Sequence, residues 1–104
     1  MATKFSLDPS PTFKTKVGIP VPGKQPALIE FEFKHFPRDE YAALFQREPL
    51  PTDTDLIMDV VVGWELDDPF NAESVEKLTQ NYQGAAAAII KKFCEEVGAA
   101  RLGN

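Results

Sequence analysis

Two stretches of strict alternation, separated by a Pro-Gly turn, restrict this chain more than anything else in it. From Phe13 to Val21, the residues Phe13, Thr15, Val17, Ile19 and Val21 share one side, and Lys14, Lys16, Gly18 and Pro20 the other. From Ile29 to His35, Ile29, Phe31 and Phe33 alternate with Glu30, Glu32 and Lys34. A period of two in β-branched and aromatic residues marks half-buried strands. The intervening Pro22-Gly23-Lys24-Gln25-Pro26 is turn chemistry. The spacing predicts an antiparallel hairpin with Lys14 opposite Glu32 and Lys16 opposite Glu30, which matches opposite charges on the wet face. Pro20 lacks a backbone donor, so its strand is expected at an edge. A lone hairpin is marginal, so Val17 and Ile19 must either be covered by helices or meet a partner.

After Phe36-Pro37 the period changes. Tyr41, Leu44 and Phe45 are spaced for one helical face that Pro49 stops. Thr52 with Asp55 resembles a capping box. Ile57, Val60, Val61 and Trp64 follow at i, i+3, i+4 and i+7, which predicts one helix ending at Gly63 despite the β-prone Val60-Val61-Val62 triplet. Asn71 is a good N-cap, and Phe70 and Val75 flank it as a hydrophobic staple. Gln83-Gly84 marks a break. A last helix is expected from about Ala85 to Val97, with Ala86, Ile90, Phe93 and Val97 inward, Ile89 and Cys94 flanking, and Gly98 ending it.

The expected architecture is α+β: an N-terminal antiparallel β-hairpin followed by about four α-helices packed on it. The 104 residues suit a single domain, divided as an extended arm at 1–12, the hairpin at 13–35, a helical part at 38–98 and a tail at 99–104. Phe5 and Leu7 are candidate anchors of the arm, whose prolines forbid a helix. The net charge of −5 disfavours nucleic acid and an anionic membrane surface as partners. No apolar run is long enough to span a bilayer, and the first residues lack the apolar core of a secretory signal. A single cysteine, Cys94, permits no internal disulfide. Together these features lead us to expect a cytoplasmic protein.

Reaction chemistry has little support. His35, the sole histidine, stands in no Ser or Cys motif and reads as structural or solvent-facing. Cys94 lies beside an apolar helical face, with Glu95 and Glu96 near it, not the electropositive setting a nucleophile needs. Asp53 and Asp55 begin like a calcium loop, but Ile57 and Met58 stand where the pattern requires a ligand and a glycine. Asp67 and Asp68 read as solvated charges near a helix start. No catalytic residue, cofactor or metal site is assigned. Trp64 reads as core by the area it buries. The small residues of Ala85-Ala86-Ala87-Ala88 favour a helix and also leave a smooth face that another backbone can approach.

The order and spacing of several short motifs resemble the tail assembly chaperones of long-tailed bacteriophages and prophages. The likeness runs through Pro11-Thr12-Phe13, Val17-Gly18-Ile19-Pro20-Val21-Pro22-Gly23 and Phe31-Glu32-Phe33-Lys34-His35. It is strongest at Gly63-Trp64 with Asp67-Asp68-Pro69-Phe70-Asn71 and at Asn81-Tyr82-Gln83-Gly84-Ala85-Ala86, and it closes with Ala100-Arg101-Leu102-Gly103-Asn104. Gln83 replaces an expected proline, and Pro37 an expected capping Thr or Ser. The resemblance implies a non-enzymatic chaperone, active in the host cytoplasm during virion assembly and absent from the mature virion. Such a chaperone binds the tape-measure protein, keeps it soluble and helps recruit the tail-tube protein. A homo-oligomer is compatible with this reading. The candidate contact residues are Val17 and Ile19 on the hairpin edge, Trp64 and Phe70, Tyr82, and Ala85 and Ala88 on the last helix. The alternative is a small structural component of the phage tail retained in the virion, which would appear in purified particles.

Overall fold

The first two strands form where the alternation places them. In a computed structural model that describes residues 6–98, β1 (Thr12–Ile19) pairs antiparallel with β2 (Ala27–Lys34). Lys14 stands opposite Glu32 and Lys16 opposite Glu30, as the charge pattern requires. Neither lysine closes an ion pair among the described residues. Instead Thr12 Oγ1 donates to Glu32 at 2.6 Å, and the Glu30 N–H donates to Glu65 Oε1 at 2.8 Å. The turn between the strands is closed by the Lys24 N–H on the Val21 carbonyl at 3.0 Å. Pro22 and Gly23 occupy its centre, and the φ of +75° at Gly23 explains the glycine.

The helix expected to end at Gly63 stops early. Helix α1 (Arg38–Leu44) is followed by α2 (Asp53–Val60), where Thr52 Oγ1 accepts from the Asp55 N–H at 3.1 Å as anticipated. The next residue, Val61, begins a third strand, β3 (Val61–Trp64). The sheet is therefore three-stranded, in the order β1-β2-β3, with β2 central. A bulge explains the misreading. Trp64 pairs with Phe31 and Gly63 with Glu32, but Phe33 pairs with Val61, leaving Val62 as the extra residue. Val61 and Trp64 thus both sit opposite inward-facing phenylalanines although they are three apart. A bulged strand mimics helical spacing, and pairing to β2 decides in favour of the β-prone valines. Gly63 is a strand residue, not a helix end.

Helix α3 (Ala72–Asn81) starts under Asn71, whose Oδ1 accepts from the Ser74 N–H at 2.8 Å. Phe70 and Val75, on either side of that cap, both join the core. Helix α4 (Ala85–Glu96) ends before Gly98, whose φ is +90°. Its buried face is Ala85, Ala86, Ile89 and Phe93, with Ile90 and Val97 half-buried. The expected face is therefore turned so that Ile89 is central and Ile90 is a flank. The alanines allow this, because α4 lies against β1 of its own sheet.

The core gathers Val17, Ile19, Phe31 and Phe33 from the sheet with Ile57, Val60, Val75, Ile89 and Phe93 from the helices. Each such side chain fully removed from water contributes about 1.5–3 kcal/mol. Phe5 and the tail 99–104 lie outside the described residues.

Candidate partner-binding groove

Along the inner face of the sheet, helix cover is uneven. Near Phe13 the face is closed: Phe33 lies 5.6 Å from Phe13 and 5.8 Å from Phe93, ring centre to ring centre. Phe36 and Tyr41 complete this cluster at 5.7 and 5.9 Å from Phe93. Near the hairpin turn, a groove of about 360 Å³ remains between the sheet and α3. Its sheet wall is Ile19, Val21, Ala27 and Ile29. Trp64, Leu66 and Asp68 close one side. The helix wall comes from α3, where Ser74, Lys77, Leu78 and Asn81 recur at i, i+3, i+4 and i+7 and so share one face, with Tyr82 just beyond.

The groove is bounded at both ends by packed contacts. At one end, Trp64 is pinned. Its ring meets Phe31 and Phe70 edge-on, at 6.0 and 5.1 Å, and its Nε1–H donates to the Asp68 carbonyl at 2.8 Å. At the other end, the turn between α3 and α4 rests on the hairpin. A Cβ on Gly84 would come within 2.9 Å of Pro20 Cγ, so only glycine permits that approach. Helix α3 is also tied to α2, because Glu76 accepts a hydrogen bond from Thr54 at 2.6 Å, and Gln80 of α3 donates to the same carboxylate at 3.0 Å. These bonds, Thr54 first, hold the Glu76 carboxyl below its usual range.

The candidate contact residues divide. Trp64 lines the groove half-exposed, and Tyr82 lines it at 39% exposure. Ile19 reaches it only as floor, at 2% exposure. Val17 and Ala85 are buried in the core, so neither presents a side chain to a partner in this fold. The reason is that the hairpin's apolar face and the alanine face of α4 cover each other. Phe70 backs Trp64, and Ala88 is half-buried against the core. Sequence reasoning missed Val21, Ile29, Leu66 and Leu78 as groove residues. Leu66 carried a usable signal, an apolar residue set among Glu65, Asp67 and Asp68.

The other candidate chemistry is scattered. Cys94 accepts a hydrogen bond from the Tyr41 hydroxyl at 3.1 Å. Burial first, and then the Cys94 contact, pushes the Tyr41 hydroxyl up to about 12. His35 is exposed, and its N–H donates to the Pro11 carbonyl at 2.8 Å. Asp53 and Asp55 lie in the first turn of α2. Among the described residues, no group of three or more His, Cys, Asp or Glu could hold a metal ion. No helix of the described residues is long and apolar enough to cross a membrane.

The groove is an apolar trough with a few polar groups on its rim. The family model described as phage tail assembly chaperone matches residues 1–104, the whole chain. No curated protein and no solved structure matches. The chain belongs to the phage tail assembly chaperone family.

Proposed function

We propose that this protein binds the tape-measure protein in the host cytoplasm, keeps it soluble and helps recruit tail-tube subunits, without turning over a substrate. The observation that supports this reading is the groove between α3 and the hairpin end of the sheet, apolar at its floor and open to solvent. A long amphipathic polypeptide awaiting assembly exposes apolar surface that promotes aggregation. Many copies of a small acidic domain, net charge −5, cover that surface and keep the complex dispersed. Each copy needs only a modest interface, because repeated weak contacts are held together yet remain displaceable by tube subunits.

Co-expression tests the proposal. The tape-measure protein is expected to stay soluble with the wild-type chain and to aggregate with Leu78→Glu, which places a charge on the apolar wall. Equal solubility with both would remove the groove from the function. Mass spectrometry of purified virions addresses the final location: the chaperone reading predicts the chain's absence, and stoichiometric presence would favour a structural tail component.

A further inference from the structure

On one side the sheet ends in β1, and the phase of the β1–β2 ladder shows what its outer edge presents. The His35 N–H donates to the Pro11 carbonyl at 2.8 Å, so Pro11 and His35 form a hydrogen-bonded pair just beyond Thr12 and Lys34. Such pairs alternate along an antiparallel ladder. Phe13, Thr15 and Val17 therefore turn their N–H and C=O groups to β2, while Thr12, Lys14, Lys16 and Gly18 turn theirs away from the sheet. Among the described residues, no backbone hydrogen bond from another element reaches those outward groups. From Thr12 to Gly18 the row covers six strand steps, about 20 Å. A helix has no spare N–H or C=O along its length to pair with such a row, whereas an extended segment pairs with it directly.

The side chains along β1 discriminate between extended occupants. On the outer face, Lys14 and Lys16 are exposed and close no ion pair among the described residues. On the inner face, Phe13 and Thr15 are only half-buried. Like charges directly opposite one another destabilise a strand pair, and opposite charges stabilise it. A second copy of β1 meets that penalty. Each antiparallel register that joins most of the outward row sets Lys14 against Lys14, Lys14 against Lys16, or Lys16 against Lys16. Edge lysines guard against self-pairing in this way. The glutamates of β2 stand two strand spacings from an added strand, roughly 10 Å, against roughly 5 Å for the lysines. That longer distance exceeds a Debye length of about 8 Å, so the lysines dominate. We propose that the β1 edge receives an extended acidic segment of another protein as a fourth, antiparallel strand. Its acidic side chains lie beside Lys14 and Lys16, and its apolar ones beside Phe13 and Thr15. The ladder uses main-chain groups that the groove does not, so this site stands apart from the groove reading.

The test is a titration of the isotope-labelled full chain with a blocked peptide in which Val and Glu alternate, followed by amide NMR. The Lys14, Lys16 and Gly18 amide protons are expected to shift downfield and to exchange more slowly with solvent. Those of Phe13, Thr15 and Val17, already bonded to β2, should change little. Lys14→Gln and Lys16→Gln, both on exposed side chains, should each weaken binding about two- to five-fold, the scale of an exposed ion pair. In an antiparallel pair the residue opposite Lys14 turns its own N–H to β1. Methylating the peptide's Glu nitrogens should therefore abolish binding, and methylating its Val nitrogens should spare it. Equal loss from both methylations would overturn the ladder. Equal binding of a peptide with Lys in place of Glu would overturn the acidic occupant. Edge amides protected in the free chain at high concentration, and exposed on dilution, would assign the edge to a second copy instead. Leu78→Glu should leave the peptide's affinity unchanged, and a loss there would move the contact to the groove. Edge amides unmoved by every peptide would overturn the site itself.

Discussion

At the Phe13 end of the sheet, Phe33 is covered by Phe93, with Phe36 and Tyr41 packed on that ring from α1 and the segment before it. At the hairpin end, Ile29 and Trp64 face α3 across a groove. The strands are the same and the inner residues equally apolar. What differs is the helix opposite. Helix α4 brings Phe93, a large side chain, to the sheet, whereas α3 turns Ser74, Lys77, Leu78 and Asn81 toward it. Helix α3 reserves Val75 for the core. One end of the fold is thus occupied with holding itself together, and the other leaves a groove bounded by Trp64 and by the Pro20–Gly84 contact.

Substitutions should separate the two ends. The largest effect is expected at the closed end. Phe33→Ala should cost about 3–5 kcal/mol in urea unfolding, enough to unfold much of a domain whose whole stability is of order 5–15 kcal/mol. Next comes Gly84→Ala. Its Cβ would press on the Pro20 ring at 2.9 Å, for about 1–3 kcal/mol of overpacking. Pro20→Ala in the same chain should recover part of that loss, because it removes the ring atom in contact. Leu78→Ala at the open end should cost only about 1 kcal/mol and yet weaken partner binding clearly. If Leu78→Ala proved as destabilising as Phe33→Ala, the contrast between the ends would be lost.

The smallest effect concerns the tie between α2 and α3. Hydrogen bonds from Thr54 and Gln80 lower the Glu76 pKa in the folded chain from its usual 4.5. A carboxyl with a depressed folded pKa stabilises the fold above its unfolded value, and that stabilisation disappears as pH falls through the folded value. Glu76→Gln should therefore lower the urea midpoint slightly near neutral pH, and the difference should fade as the pH falls through the lowered Glu76 pKa. A difference that persists in acid would assign the effect to packing.

Much of this fold was legible in the chain. Alternation and charge matching gave the β1–β2 register because a one-residue slip would have turned every apolar side chain outward. The caps at Thr52 and Asn71 were visible because their side chains bond within three residues. The third strand was not, because the bulge at Val62 spaces Val61 and Trp64 by three and its partner lies about thirty residues away in β2. The orientation of α4 was misjudged by one residue, since alanines carry little information about which side a neighbouring backbone approaches. The groove was half visible. Trp64 and Tyr82 were flagged, but a groove is an absence of filling, and it depends on where α3 sits relative to the sheet.

The most direct measurement is site-specific photo-crosslinking to the tape-measure protein in cells, with the reactive side chain placed at Leu78 or, as the opposite end, at exposed Ala43. A cross-linked product is expected from position 78 and none from position 43. Cross-linking from Ala43 with none from Leu78 would place the contact at the closed end and contradict the groove reading.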